Sequence, residues 1–162
     1  DWCRHPHVLA IGECGLDKVC TTSFSLQQQV FSAQIQYAWA VGKPLLIHCV
    51  RSWEEVLHLL KQQRNRVPVI FHGFNKNRAI AQRIINEGYY VSFGKSLEKM
   101  AIREVLAALP PEKIFLETDN ASVTIESIYK WAADVFSIEI NSLLLQIQKN
   151  AATVFGAALV QL

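Results

Sequence analysis

The chain has 162 residues, 51% of them hydrophobic, and a formal net charge of +2. This length is typical of a single domain, and so high a hydrophobic content excludes an intrinsically disordered protein. No apolar run reaches the ~20 residues of a membrane span, and the first residues, DWCRHPH, contain no apolar core of a secretory signal. We therefore expect one domain over residues 1–162 with no membrane partner. The small charge does not by itself predict a nucleic-acid partner.

Five short apolar runs predict β-strands. They are near-continuous rather than alternating, which is typical of parallel strands buried on both faces. In chain order they are VLAIGE (8–13), PLLIHC (44–49), PVIFHG (68–73), YYVSFG (89–94) and KIFLETD (113–119).

Helical patterns lie between these runs and after the last of them. They cover residues 25–42, 52–63, 77–88, 96–111, 127–136 and 138–156. Gly42 is expected to end the first helix, and Ser52 and Glu55 have the spacing of a capping box at the start of the second. The alternation of strands and helices predicts an α/β fold built from repeated βα units.

Four predicted strands end in a carboxylate or an imidazole: Glu13, His48, His72 and Asp119. Right-handed crossovers bring the carboxyl ends of parallel strands to one rim, where α/β barrels and open α/β sheets carry their chemistry. Taken singly, each residue is readily explained as a turn cap or a hydrogen-bonded rim histidine. Taken together, two imidazoles and two carboxylates predict a shared metal or polar site.

Further polar residues lie near the same strand ends. Arg51, three residues after His48, is either a ligand for phosphate or carboxylate or a surface arginine at a helix start. We expect Asp17 to have a structural role in its loop and Lys95 to be solvated. Asn75 is expected to cap a helix rather than to contact a substrate.

Other residues of the same types have simpler interpretations. Glu117 shares a strand face with Asp119, which indicates a supporting partner of that carboxylate or an interior group. The pair His5 and His7 precedes the first strand and is more typical of a turn than of two metal ligands. His58 lies within the predicted second helix and is expected to be structural.

The four cysteines form no CxxC pair and no zinc-ribbon spacing. We therefore expect them to be reduced thiols, as in a cytoplasmic protein. They are Cys3, Cys14, Cys20 and Cys49.

Six segments of the chain form a series that points to a known family: AIGECGLDK, PLLIHCVRS, FHGF, YYVSFG, LPPEKIFLETD and QKNAATVFG. In this order and spacing they resemble the TatD family of metal-dependent deoxyribonucleases, which are amidohydrolase-like TIM barrels. The resemblance covers nearly the whole chain, and GE-x-GLD, IH-x-x-R and LETD together are highly specific. It implies an α/β fold of the TIM (β/α)8-barrel type, with about five βα units present in this chain.

The resemblance also implies a role for each strand-end residue. Glu13 would bridge two divalent metal ions (Zn, Mg or Mn), and His48 and His72 would complete one of the two metal sites. Asp119 would bind the other metal and help to activate the attacking water, so Glu13 and Asp119 are the implied catalytic residues. Arg51 is a candidate for binding phosphate. The implied function is hydrolysis of phosphodiester bonds in DNA, which is the expected partner.

Two features depart from the family pattern. The family's first strand, with a His-x-His pair, and two further βα units before GE-x-GLD have no counterpart here. The chain is therefore expected to be the C-terminal part of such a barrel. The segment after Asp119, NASVT, lacks the family's usual proline and basic stretch and resembles a compact subgroup. An incomplete barrel exposes strand edges, so we expect self-association or a missing N-terminal segment.

Three other interpretations stay open. A related hydrolase that acts on an ester, lactone or amide would use the same ligands. A non-catalytic remnant would keep only the site formed by Glu13, His48 and His72. An unrelated doubly wound fold with five strands is disfavoured, because the chain has neither GxGxxG nor GxxxxGK as a phosphate loop.

Overall fold

The computed structural model describes residues 2–156. The chain divides into two compact units, Asp1–His72 and Gly73–Leu162. Both units contain parallel strands joined through helices, which confirms the α/β class predicted from the strand–helix alternation. Whether residues 1–162 behave as a single domain stays a prediction. Within residues 2–156 no helix is both long enough and apolar enough to cross a membrane.

Over residues 2–72 the first unit contains three parallel strands and two α-helices, after a short 3₁₀ helix at Trp2–Arg4. In chain order they are β1 (Ile11–Asp17), α1 (Phe24–Val41), β2 (Leu45–Val50), α2 (Trp53–Gln62) and β3 (Val69–Phe71). Strand β2 lies between β1 and β3 and pairs with both. Its Leu45 and Ile47 are accordingly fully buried.

Helix α1 ends where the sequence predicts and begins one residue earlier, at Phe24. It begins after Ser23, whose hydroxyl accepts the backbone N–H of Leu26 at 3.3 Å. It ends at Gly42, which has a φ of 67°, in the left-handed region that favours glycine. The residues that α1 buries recur at helical spacing: Phe31, Ile35 and Ala38.

The prediction that Glu13 ends the first strand is wrong. The apolar run begins at Val8, but strand pairing begins at Ile11, whose N–H donates to the Pro44 carbonyl at 2.8 Å. Pairing with β2 then continues to Asp17, so Glu13 is the third residue of a seven-residue strand. Hydrophobicity marks where a chain is buried, whereas the ends of a strand depend on where its neighbour begins and ends.

The predicted capping box at α2 is also wrong. Ser52 occupies the N-cap position, but its side chain makes no capping hydrogen bond. Its buried hydroxyl instead donates to the Leu16 carbonyl at 2.6 Å and so joins the start of α2 to β1. Glu55 pairs with Lys18 rather than with the helix terminus.

Helix α2 ends in a Schellman motif that has arginine where glycine is usual. The N–H of Asn65 donates to the Leu60 carbonyl at 2.9 Å, and the N–H of Arg64 donates to the Lys61 carbonyl at 3.0 Å. Arg64, at the turn of the motif, has a φ of 50° and is exposed. A side chain in this left-handed conformation costs about 1 kcal/mol that glycine avoids.

Replacing Arg64 with glycine is therefore expected to raise the free energy of unfolding by about 1 kcal/mol. The matched control is Gln63→Gly, because Gln63 has an ordinary φ of −77°. This control is expected to lower stability by about 0.5 kcal/mol, since glycine there only increases the entropy of the unfolded chain. Urea unfolding of both variants measures the difference, and equal effects would show that the conformation at Arg64 is not strained.

Over residues 73–156 the second unit contains two paired parallel strands and four α-helices. In chain order they are α3 (Arg78–Asn86), β4 (Tyr90–Phe93), α4 (Met100–Ala107), β5 (Ile114–Leu116), α5 (Ile125–Phe136) and α6 (Ile140–Phe155). The predicted cap of α3 is corrected by two residues. Asn77, and not Asn75, is the N-cap, and its side chain accepts the Ile80 N–H at 3.1 Å.

Helix α6 is tied to the start of β5 by a buried side chain, Asn150. Its Nδ2 donates to the carbonyls of Pro111 and Ile114, at 2.8 Å each, and its Oδ1 accepts from Gln146 Nε2 at 2.8 Å. Asn150 is only 3% exposed. These bonds hold the strand that leads directly into Glu117, Thr118 and Asp119.

Candidate metal centre

Glu13 lies at a bulge in β1 that turns its side chain out of the ordinary strand pattern. Ile11 pairs with Leu45 and Cys14 pairs with Ile47, so β1 has one more residue than β2 over this interval. Such a bulge re-aims the side chain at the extra position. Glu13 is half exposed, with 50% of its side-chain surface accessible.

Two glycines on either side of Glu13 let β1 approach β2 closely. A Cβ on Gly12 would lie 2.6 Å from Leu46 Cβ, and a Cβ on Gly15 would lie 2.1 Å from the His48 carbonyl oxygen. Gly15 also has a φ of 137°, which side-chain-bearing residues rarely adopt. The glycines of GECG are therefore required by the contact between the two strands that carry Glu13 and His48.

Cys14, next to Glu13, is a poor candidate for a metal ligand. It is 4% exposed, and its Sγ lies 3.6 Å from the Leu46 carbonyl oxygen. Burial raises the pKa of the Cys14 thiol to about 12, so the thiol stays protonated at neutral pH. A protonated thiol is a poor metal ligand, which leaves the carboxylate of Glu13 as the donor from this part of β1.

The register of the strands brings His48 and His72 side by side. Ile47 in β2 pairs with Phe71 in β3, and the N–H of His72 donates to the Ile47 carbonyl at 3.1 Å. The residues that follow this pair, His48 and His72, have their rings 5.5 Å apart between centroids. His48 Nδ1 lies 3.3 Å from His72 Nε2.

Three of the four predicted strand-end residues form one compact group of donor atoms. His72 Nε2 lies 3.2 Å from Glu13 Oε2, and the donor atoms of Glu13, His48 and His72 all lie within 4.8 Å of one another. Two ligands of a tetrahedral ion, at metal–nitrogen distances of about 2.05 Å, are about 3.3 Å apart. The spacing and chemistry of this donor set therefore fit a divalent cation.

A cleft of about 460 Å³ lies beside the three donors and is lined in part by Glu13, His48 and Asp17. The side chain of His72 is only 10% exposed, whereas that of His48 is 42% exposed. The group is thus open to solvent on the side of Glu13 and His48. An open side is typical of catalytic metal sites, which keep a coordination position for water or substrate.

Sequence reasoning missed the contact between Asp17 and His48. Asp17 was expected to be structural, and its Oδ1 does accept the Val19 N–H at 2.7 Å in the loop after β1. Its Oδ2, however, lies 3.6 Å from His48 Nε2. The Val19 N–H first, and also His48, hold the pKa of the Asp17 carboxyl below its usual value. The only signal in the sequence was the position of Asp17 in GLD, four residues after Glu13.

Arg51 directly follows β2 and is exposed, with a φ of 55°. His5 and His7 lie in the turn before β1, where the His7 N–H donates to His5 Nδ1 at 3.3 Å. His58 is exposed on α2. These placements agree with the turn interpretation of the pair and leave the phosphate role of Arg51 as a prediction.

Asp119 belongs to the second unit, at the end of the segment that follows β5. It has a φ of 47°, and it lines a small hollow of about 210 Å³ together with Asn75, Lys95 and Glu117. Glu117 Oε1 accepts the Gly73 N–H at 2.7 Å. Left-handed backbone at a non-glycine residue is uncommon, although aspartate adopts it more readily than most residues. A site shared by Asp119 and the three donors of the first unit stays a prediction.

Donor side chains at the ends of parallel strands are typical of α/β barrel enzymes. Comparison with known proteins identifies the family of this chain. The family of TatD related DNases matches residues 1–156. The chain therefore belongs to the TatD related DNase family. It is 34% identical over 124 residues to the 3'-5' ssDNA/RNA exonuclease TatD of Klebsiella pneumoniae, a match of 72% of this chain and 46% of the relative. It is 32% identical over 122 residues to the Escherichia coli K12 protein of that name.

Solved structures confirm the predicted fold class. YJJV, a TatD homologue from Escherichia coli K12, has a TM-score of 0.83 at 23% identity and aligns with 93% of this chain and 64% of its own. A TatD family hydrolase from Entamoeba histolytica has a TM-score of 0.80 at 18% identity, over 91% of this chain and 63% of its own. The fold is thus α/β of the TIM-barrel type. The chain spans about half the length of the curated relatives it matches.

Proposed function

We propose that the chain is a metal-dependent hydrolase of the TatD type that acts on the phosphodiester bonds of DNA. The observation that carries the proposal is the group of three donors, whose spacings of 3.2 and 3.3 Å match those of ligands around one small cation. Membership of the TatD related DNase family supports the nucleic-acid substrate. The relatives named as 3'-5' ssDNA/RNA exonucleases support it further.

Each residue has a role that follows from its chemistry. Glu13, His48 and His72 would hold a divalent cation, and Glu13, being half exposed, has a second oxygen available for another cation. Bound cations of this kind lower the pKa of water and neutralise charge that develops on a phosphate. Asp119 would hold the second cation and accept a proton from the attacking water. Arg51 would pair with a phosphate oxygen.

The choice among Zn, Mg and Mn and the number of ions are part of this proposal. Two imidazoles favour zinc or another borderline metal at the first site, while carboxylates favour magnesium or manganese at the second. A cytoplasmic location and self-association also stay predictions.

The test is to strip the chain of metal and to measure Zn²⁺ and Mn²⁺ binding together with cleavage of end-labelled single-stranded DNA. The unmodified chain is expected to bind at least one ion and to cleave DNA. His72→Ala is expected to lose both, because it removes a donor that faces Glu13 and His48. Asp119→Asn is expected to keep the ion of the first unit and to lose about 100-fold in cleavage rate.

His58→Ala is the matched control, since it removes an exposed histidine of the same unit that does not contact the donors. It is expected to behave like the unmodified chain. Absence of metal binding by the unmodified chain, or unchanged binding in His72→Ala, would overturn the proposal. Metal binding with hydrolysis of small esters but not DNA would favour the related amidohydrolase function. Metal binding without any turnover would favour a non-catalytic remnant.

A further inference from the structure

The ring of His48 faces two different groups through its two nitrogens. Nδ1 lies 3.3 Å from His72 Nε2 and belongs to the group of three donors. Nε2, on the other side of the ring, lies 3.6 Å from Asp17 Oδ2. This separation exceeds a standard N–H···O hydrogen bond by about 0.6 Å, a gap that a small rotation of either side chain closes.

The Asp17 carboxylate is held at this place by its own loop. Its Oδ1 accepts the Val19 N–H, which leaves Oδ2 on the side of His48. Both the backbone N–H and the backbone carbonyl of Asp17 form hydrogen bonds with the side chain of Gln27, near the start of α1. Gln27 Oε1 accepts the Asp17 N–H at 2.8 Å, and Gln27 Nε2 donates to the Asp17 carbonyl at 2.9 Å.

The side-chain amide of Gln27 also contacts the loop between β1 and α1. Gln27 Nε2 also lies 2.9 Å from the Thr22 carbonyl oxygen and 3.1 Å from Cys20 Sγ. One glutamine side chain thus joins the end of β1, the following loop and α1. The main chain of Asp17 is therefore held by Gln27, and its carboxylate by the Val19 N–H.

We propose that Asp17 is a positioning residue for His48: its carboxylate accepts the Nε2–H and so leaves the Nδ1 lone pair facing Glu13 and His72. This inference rests on the proposed metal site and adds to it a residue outside the three donors. A neutral imidazole has one N–H and one lone pair, so an acceptor beside one nitrogen decides which nitrogen is available to a cation. A carboxylate behind a ligating histidine also fixes the ring orientation and raises its basicity.

Two measurements test the inference on Asp17→Ala and Asp17→Asn. The first is the tautomer of His48 in the metal-free protein, from ¹⁵N NMR of the imidazole nitrogens. The second is the Zn²⁺ dissociation constant from calorimetry. The unmodified chain is expected to carry its proton on Nε2. Asp17→Ala is expected to show a mixture of tautomers and about 10–100-fold weaker Zn²⁺ binding.

Asp17→Asn separates positioning from a merely structural effect. Asparagine has a single oxygen, and while that oxygen accepts the Val19 N–H its NH2 group faces His48 Nε2 as a donor. Asp17→Asn is therefore expected to keep the loop intact, to shift the His48 proton to Nδ1 and to weaken Zn²⁺ binding at least as much as Asp17→Ala. Asp134→Asn, an exposed aspartate on α5, controls for the loss of one negative charge and is expected to change neither readout.

The outcomes distinguish this inference from the proposed function. An unchanged tautomer and an unchanged dissociation constant in Asp17→Ala, beside an unmodified chain that binds Zn²⁺, would overturn the inference and leave the metal site standing. An unmodified chain that binds no Zn²⁺ would overturn the metal site. The tautomer in the metal-free protein would then still decide whether Asp17 orients His48.

Discussion

Replacing Gly15 with alanine is expected to lower the free energy of unfolding by about 4 kcal/mol or more. The added Cβ would lie 2.1 Å from the carbonyl oxygen of His48, a backbone atom that cannot move aside without displacing β2. Gly15 also has a φ of 137°, a region that side chains rarely adopt, so no local adjustment removes the conflict. Because Gly15 pairs with His48, separation of the strands would also disturb the donor group.

Gly42→Ala provides the matched control for this prediction. Gly42 also has a positive φ, 67°, but a Cβ there would meet no atom within 4 Å. It is expected to cost only the conformational penalty of about 1 kcal/mol. Urea unfolding measures both variants, and pulse proteolysis reports on Gly15→Ala if little folded protein is obtained. Equal losses in the two variants would show that the close approach of the strands is not what requires glycine.

Asn150→Ala is expected to lower the free energy of unfolding by about 3 kcal/mol. The substitution removes three hydrogen bonds, of which the one to the Ile114 carbonyl is buried and those with Pro111 and Gln146 are part-buried. Since Asn150 is 3% exposed, water does not readily replace the lost donor. The effect is expected in thermal and urea unfolding, with DNA cleavage falling only as far as the folded fraction does.

Two further variants test the origin of that loss. Asn150→Asp keeps the size of the side chain but replaces its donor group by an acceptor, so it is expected to be at least as destabilising as alanine. Thr153→Ala removes an exposed hydroxyl that bonds to the Lys149 carbonyl at 2.9 Å, and it is expected to change stability by less than about 0.5 kcal/mol. A loss in Asn150→Asp below 1 kcal/mol would contradict the role of the two donated bonds.

The order of strands and helices could be predicted from the sequence because burial and helical periodicity are local properties. Each of the five apolar runs overlaps one of the five strands, and Gly42 ends α1 as expected. The errors concern the ends of elements. The Val8–Ile11 run did not show that β1 continues through two glycines to Asp17, because this depends on the register with β2. The hydroxyl of Ser52 could have capped the start of α2 or bonded to another strand. It donates to the Leu16 carbonyl because the fold brings that carbonyl close to it.

The donor set could also be chosen from the sequence, because Glu13, His48 and His72 lie in or directly after the apolar runs that predict neighbouring parallel strands. Glu13, His48 and His72 could be chosen as partners without coordinates, and the structure brings their donor atoms within 4.8 Å of one another. Asn150 could not be recognised as a structural anchor, since its acceptors lie 36 and 39 residues away.

What only the tertiary structure decided is how the donors are held. The bulge at Glu13 depends on the register between β1 and β2. The short distance between Asp17 and His48 depends on the loop after β1, which is held by hydrogen bonds with Gln27. Both depend on contacts between segments distant in sequence. The residue types in the sequence therefore determined which atoms are available to a cation. Packing of one strand against the next determined their spacing and which nitrogen of His48 faces the group.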